Sequence, residues 1–252
     1  MRVFRTVAAA VAVLMVCVSA LAQEKPGNAA MVYSVKPKSG NWGQLEEAMK
    51  KHFAWHRSQN DTFAYHVWQV MSGDNLGDFV VGTFGHNWKD FDGRDELDRA
   101  DVADFVANVL PLTEKMSLHY TTMVPEASRP SARTQPAAMS QLTHYFVKPS
   151  GVVQFADALR EIKAALDNAN YPVRSSWYRL VSGGEGPHYV LVVERSSFAE
   201  FEPMAKSLEQ VIAEVTSPAK AIELASAVRD NTRHTYSELL VYRADLSYLP
   251  VK

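Results

Sequence analysis

The chain has 252 residues and a formal net charge of −2, and 47% of its residues are hydrophobic against 21% charged. These fractions are ordinary for a globular protein, and a chain without a basic stripe is a poor match for a nucleic-acid backbone. Its single cysteine excludes disulfide frameworks, iron–sulfur clusters and thiolate zinc sites. We therefore expect a globular protein with no nucleic-acid partner.

The first 22 residues have the features of a secretory signal peptide. Arg2 and Arg5 precede an uncharged apolar run from Val7 to Val18, and Ala20-Leu21-Ala22 supplies small residues at the cleavage position. The run is shorter than the ~20 residues that a membrane span needs, so we expect cleavage after Ala22 rather than an uncleaved anchor helix. The mature chain would then have no stable membrane span and would be periplasmic or secreted.

The first predicted unit spans residues 29–124 and has the element order βαββαβ. Hydrophobic periods of two and of 3.6 residues predict its strands and helices, with a hairpin turn at Ser72-Gly73-Asp74. The predicted strands are Met31 to Val35, Phe63 to Met71, Phe79 to Phe84 and Leu118 to Val124. A linker rich in proline, alanine and serine follows at residues 125–140.

The second predicted unit spans residues 141–246 and repeats this order. The segment from Val35 to Gly40 returns as Val147 to Gly151, and the segment from Trp68 to Gly73 returns as Tyr178 to Gly183. Both matches lie at an offset of about 110 residues, which is typical of an internal duplication. We therefore predict two tandem copies of one α+β unit.

This repeated order resembles the dimeric α+β barrel superfamily, whose ferredoxin-like units form antiparallel sheets that pack as a barrel with helices outside. That superfamily includes antibiotic-biosynthesis monooxygenases, haem-degrading enzymes, chlorite dismutase-like proteins and NIPSNAP-like proteins. No signature specific to one of these families is present in the sequence. It implies an intramolecular α+β barrel, closed within one chain. Because the chain already holds two units, either a monomer or a homodimer is compatible with it.

His52 and His56 are the candidate cofactor-binding residues. Their spacing of four places both rings on one face of the first helix, where the matching residues of the second unit are Ile162 and Leu166. The resemblance implies haem, because haem-binding members often take an axial histidine from a helix. The alternative is a pair of buried histidines bonded to backbone or carboxylates. No third ligand is visible in the sequence, so we assign no metal.

A second group of candidates lies on the strands, where alternate residues would line a barrel cavity. Aromatic rings with a few histidine or arginine donors would suit a small apolar or aromatic ligand. The alternative places the aromatic rings in the core and the polar groups at exposed strand ends. The candidate pocket residues are His66, Trp68, His119, Tyr178, Arg179 and His234.

No motif in the sequence assigns a reaction. Neither a G-x-S-x-G elbow nor a glycine-rich phosphate loop is present. We predict an exported small-molecule-binding protein. Two alternatives remain open. One is a monooxygenase- or cyclase-like enzyme, cofactor-free or haem-dependent. The other is an envelope interaction or assembly protein.

Overall fold

The computed structural model describes residues 26–133 and 135–250. The predicted signal peptide, residues 1–22, lies outside the described residues. Within the described part of the chain, the first half contains β1 (Ala29–Pro37), α1 (Trp42–Ser58), β2 (His66–Val70), β3 (Phe79–His86), α2 (Asp95–Asn108) and β4 (Thr113–Met123). The second half contains β5 (Met139–Val147), α3 (Val152–Asn168), β6 (Ser175–Ser182), β7 (His188–Arg195), α4 (Leu208–Val215), α5 (Pro218–Asp230) and β8 (Thr232–Tyr242).

The strands form one closed antiparallel barrel in the order β1-β3-β2-β8-β5-β7-β6-β4. Each half contributes four strands in the same spatial order, with its last strand at one edge and its second strand at the other. The two edges of one half pair with the two edges of the other, β2 with β8 and β4 with β6. Joining them leaves no open sheet edge in the barrel. The predicted α+β barrel class is confirmed, and its two sheets are joined edge to edge.

The helices cover the outside of the barrel. In α3, Phe155 is fully buried against the outward-facing rings of Trp177 and Tyr189. In the first half, α1 buries Leu45, Met49 and Phe53 against the sheet. No helix within residues 26–133 and 135–250 is long and apolar enough to cross a membrane. Because the helices cover the outer faces, the inward faces of the strands are left to enclose an interior space.

The second helical region of the second half is divided into α4 and α5. The break occurs where the sequence has Ser217 followed by Pro218, and the Ser217 hydroxyl accepts a hydrogen bond from the backbone N–H of Lys220 at 3.1 Å. Proline in the first turn costs no helical hydrogen bond, so this pair starts a new helix. The sequence predicts the same restart.

The segment between the halves is packed rather than extended into solvent. Arg129 is 5% exposed, and its guanidinium donates to Asp167 at 2.7 Å and to the carbonyls of Tyr171 and Val173. Strand β5 begins at Met139, inside the predicted linker. Between them, Ser131 donates a hydrogen bond to Glu194 of β7 at 2.8 Å.

The last described residues return to the first half. Tyr248 pairs with Tyr65 through two backbone hydrogen bonds, and its hydroxyl donates to the Asp61 carbonyl at 2.7 Å. Leu246 is 1% exposed and belongs to the same hydrophobic cluster as α1. This C-terminal segment therefore completes the core of a unit that begins more than two hundred residues earlier.

Candidate functional site

The barrel interior contains a cavity of about 560 Å³, and all eight strands contribute to its wall. Aromatic rings from β2, β3 and β6 meet inside it. The Phe84 ring lies 6.0 Å from Trp68 and 5.8 Å from Tyr178, measured between ring centroids. Phe84 fits there because Gly82 has no side chain, since a Cβ at Gly82 would lie 2.5 Å from the Phe84 ring. These rings offer flat apolar surfaces against which an aromatic or aliphatic molecule could pack.

Two histidines of the cavity lining, on β5 and β7, form a hydrogen-bonded pair. Nδ1 of His144 lies 3.0 Å from Nε2 of His188, so one ring donates a proton to the other. Burial, with smaller contributions from His188 and His119, lowers the pKa of His144 to about 3. Burial and the neighbouring His119 lower the pKa of His188 to about 4. At neutral pH both rings are therefore uncharged.

Stacked rings extend this pair. Phe146 lies between His188 and His234, with centroid distances of 4.4 and 4.2 Å and nearly parallel planes. His144 stacks on Tyr236 at 4.2 Å. The two histidines are therefore held in fixed orientations by aromatic contacts.

The cavity wall also contains a buried carboxyl group. Burial raises the pKa of Glu238, although the Asn75 amide donates a hydrogen bond to it and favours its charged form. One of its oxygens lies 3.9 Å from Nε2 of His144, which is beyond hydrogen-bonding distance. The distance leaves both groups available to a third partner.

Three buried polar atoms on the cavity wall have no hydrogen-bond partner within the described residues. They are Nε1 of Trp68, Oγ1 of Thr121 and Nε2 of His144. Leaving a buried donor or acceptor unsatisfied costs about 1–3 kcal/mol. Each of these atoms is covered by neighbouring protein atoms, so a molecule in the cavity reaches it only if the surrounding side chains move.

Four of the predicted pocket residues line this cavity: His66, Trp68, His119 and Tyr178. Burial lowers the pKa of His66, and its Nδ1 lies 3.1 Å from the Tyr242 hydroxyl. His234 does not line the cavity; it is exposed on β8 and stacks on Phe146, which does. His66 and Trp68 share β2, whereas His119 lies on β4 and Tyr178 on β6, so the four meet around one cavity only because the barrel closes.

Arg179 does not line the cavity. It follows Tyr178 in β6, and successive residues of a regular strand face opposite sides of the sheet. Tyr178 faces the interior, so Arg179 is exposed on the outer face beside its strand partner Tyr189. Sequence reasoning that placed both in one pocket did not apply this alternation.

The sequence analysis missed four other lining residues: His144, His188, Tyr236 and Glu238. Alternation offered a signal for most of them. Leu142, His144 and Phe146 occupy every second position of β5, and Tyr236, Glu238 and Leu240 do so in β8. The spatial pairing of His144 with His188 depends on the register of β5 against β7, which periodicity does not predict.

His52 and His56 lie together in a second, smaller site outside the barrel, between α1 and α2. Nδ1 of His52 lies 2.7 Å from Asp104, and Nδ1 of His56 lies 2.9 Å from Asp61. Both Nε2 atoms approach the same oxygen of Asp101, at 3.1 and 3.3 Å. Both histidines are thus bonded to carboxylates, which is the alternative that the sequence analysis set against a cofactor site.

The charges around this pair are strongly coupled. Burial opposes charge on Asp101, but hydrogen bonds with His52 and His56 outweigh it and lower the pKa of Asp101 to about 2. Burial likewise opposes charge on His56, and hydrogen bonds to Asp101 and Asp61 outweigh it and raise the pKa of His56. Asp61 is fixed by Arg94, whose two terminal nitrogens donate to it at 3.0 and 3.1 Å.

Haem does not fit at His52 and His56. The adjoining cavity has a volume of about 170 Å³, which is too small for a porphyrin. Both Nε2 atoms also point at Asp101 rather than into open space. No step described below is routed through haem at this position.

Solved structures of the dimeric α+β barrel type share this fold. A candidate monooxygenase from Lactobacillus acidophilus NCFM matches with a TM-score of 0.55 at 9% identity, over 89% of this chain and 97% of that chain. An anthrone oxidase-like protein matches with a TM-score of 0.53 at 14% identity, over 87% and 92%. A mutant chlorite dismutase from Candidatus Nitrospira defluvii matches with a TM-score of 0.53 at 6% identity, over 87% and 93%.

At such identities the likeness shows the fold alone. No protein-family model matches the chain, and no curated protein matches it in sequence. Function therefore has to be argued from the residues of the site.

Proposed function

We propose that this chain is an exported protein that binds one small apolar or aromatic molecule inside its barrel. The observation that carries the proposal is the cavity itself, whose lining combines the aromatic rings of Trp68, Phe84 and Tyr178 with a few histidines. An eight-stranded barrel can hold one small ligand, and about 560 Å³ falls in the usual range for small-molecule sites.

The polar side chains of the lining also define the ligand's chemistry. His66 and His119 line the cavity, and burial lowers the pKa of both, which favours their uncharged forms. An uncharged imidazole offers one donor and one acceptor. The ligand class that fits is a mostly aromatic molecule bearing carbonyl or hydroxyl oxygens.

The first test is native mass spectrometry, with an absorbance spectrum, on mature protein purified from its own envelope fraction. We expect a defined extra mass that is released on denaturation. The released compound is then titrated against Trp68→Phe, which replaces an indole of the cavity lining with a smaller ring and should weaken binding about tenfold.

The matched control for this titration is Trp177→Phe. Trp177 lies on β6 with its ring on the outer face, packed on Phe155, so this variant should bind like the unmodified chain. Bare chain mass from the native source, or equal binding by both variants, would contradict the proposal.

A second candidate is a monooxygenase-like enzyme that uses dioxygen without a cofactor. The favouring observation is the hydrogen-bonded, uncharged His144–His188 pair on the cavity lining, which can hydrogen-bond a phenol or carbonyl oxygen and so orient the substrate. The low pKa of His144 makes it a weak base, so its role would be positioning rather than proton abstraction. The fold likeness to an anthrone oxidase-like protein suggests the substrate to try. Anthrone and one dioxygen would give the quinone and water.

This candidate is tested by dioxygen uptake with anthrone. Uptake should fall at least tenfold in His144→Gln and remain unchanged in the exposed-face variant Arg179→Gln. Binding of anthrone with no uptake above the uncatalysed rate would rule out this activity and leave the binding role.

A further inference from the structure

We propose that His52, His56 and Asp101 form a binding site for one divalent transition-metal ion. The ligand atoms are Nε2 of each histidine and one carboxylate oxygen of Asp101, and all lie within 4.8 Å of one another. The histidines come from α1 and the aspartate from α2. This site lies outside the barrel and is independent of the proposed ligand cavity.

Two of the three ligand–ligand distances suit a four-coordinate ion. Bonds of about 2.1 Å at tetrahedral angles place neighbouring ligand atoms about 3.4 Å apart. The Asp101 oxygen lies 3.1 Å from Nε2 of His52 and 3.3 Å from Nε2 of His56, close to that spacing. The set of two imidazoles and one carboxylate is typical of zinc and of non-haem iron, so the ion expected is of this borderline class.

Each histidine has the supporting partner that metal-bound histidines usually have. Asp104 bonds to Nδ1 of His52, and Asp61 bonds to Nδ1 of His56. A carboxylate on Nδ1 fixes the proton there and leaves the Nε2 lone pair for the ion. Asp61 is itself held by Arg94 and by the backbone N–H of Phe63. The ring orientations are therefore set before any ion binds.

The charge balance of the site also favours a cation. Asp61, Asp101 and Asp104 surround the two rings, and Arg94 is paired with Asp61. The remaining negative charge can be offset by protons on the ring nitrogens or by one divalent ion. Binding of the ion must therefore displace protons from Nε2, and affinity should fall as pH falls.

A fourth ligand has room to bind. The cavity of about 170 Å³ is lined by His52, His56 and Asp101, together with apolar residues and Tyr65. Three protein ligands beside such a space are typical of a metal site with one position left for water or a small molecule. The second half of the chain has Ile162 and Leu166 at the corresponding positions of α3, so one ion per chain is expected.

The experiment uses tag-free mature chain, freed of metal by a chelator and titrated calorimetrically with Zn²⁺. We expect one equivalent of Zn²⁺ to bind per chain. The affinity for Zn²⁺ should be at least tenfold lower in Asp101→Asn and roughly 10–100-fold lower in Asp104→Asn. The matched control is Asp157→Asn, an exposed carboxylate of α3 that should leave binding unchanged. Affinity should also drop when the titration is repeated near about pH 6.

A second measurement needs no variant and covers the case in which Asp101→Asn fails to fold. Long-range ¹H–¹⁵N spectra of unmodified chain should show Zn²⁺ shifting the Nε2 signals of two histidines and leaving their Nδ1 atoms protonated. The absence of saturable binding, unchanged affinity in folded Asp101→Asn, or Zn²⁺ shifts at other histidines would each overturn the proposal.

Discussion

His144 and His188 are uncharged at neutral pH, because burial makes protonation of either ring unfavourable. Their pKa values of about 3 and about 4 lie far below the ordinary histidine value because the rings are buried and repel one another's charge. In the unfolded chain both would titrate near pH 6.5. Between these values the unfolded chain binds more protons than the folded protein, so acid favours unfolding.

We expect the free energy of unfolding to fall as pH drops from about 6.5 to about 4, with each ring contributing about 1.4 kcal/mol per pH unit. Replacing one ring, as in His144→Leu, should remove about half of that slope. The measurement is urea denaturation across this pH range.

Tyr236→Phe is the control for this prediction. It keeps the ring stacked on His144 and removes only a hydroxyl whose pKa burial raises to about 12, far outside the window. Its slope should match that of the unmodified chain. A His144→Leu variant with an undiminished slope would mean that another group dominates acid unfolding.

For single residues, positions set by the local helix period could be predicted from the sequence, whereas contacts between separate elements could not. The shared face of His52 and His56 follows from their spacing alone, because the helix period is local. Asp101 could not be assigned to them from the sequence, since it lies on another helix and meets them only through tertiary packing. Arg179 was misplaced although the period of two was available.

Of the helices and strands, α3 shows the clearest agreement between the spacing of apolar residues and their burial. Phe155, Leu159 and Leu166 recur on one face and are buried against the outer sheet face or against α4 and α5. Val153 lies on the other face and is 68% exposed. The helix therefore contains both a core position and a matched surface position.

Phe155→Ala should lower the free energy of unfolding by about 3–5 kcal/mol, because it opens a cavity between Trp177 and Tyr189. Val153→Ala in the same helix should change it by less than about 0.5 kcal/mol. Chemical denaturation of both variants measures the difference. Similar losses in the two would contradict the packing role of Phe155, because both substitutions raise helix propensity.

The order βαββαβ in both halves could be predicted because each element has its own hydrophobic period and turn residues. The pairing of β2 with β8 and of β4 with β6 could not be derived from those periods, because it joins strands far apart in the chain. The resemblance to barrel proteins supplied that closure. The buried position of Arg129 in the predicted linker had no signal in composition.

The C-terminal segment stabilises the first half of the molecule. Leu246 and Tyr248 are nearly fully buried against the first half, and Tyr248 adds a backbone pairing with Tyr65. Leu249, the next residue, is 38% exposed. Within the described part of the chain, Tyr248 is therefore the last buried residue of the C-terminal segment.

A chain that stops after Arg243 should lose at least about 3 kcal/mol of unfolding free energy, because two buried side chains leave the core. A chain that stops after Tyr248 should stay within about 0.5 kcal/mol of the full chain. Thermal or urea unfolding compares the two truncations. Equal stability of both would mean that residues 244–248 only rest on the surface.

Because the C-terminal segment packs on the first half, the first half cannot complete its core until that segment has been synthesised. A ribosome releases the first half long before β8 and Tyr248, yet β2 lacks one neighbour and α1 lacks part of its cover until they arrive. The nascent first half therefore keeps apolar surface and an unpaired strand edge available to chaperones until the final residues emerge.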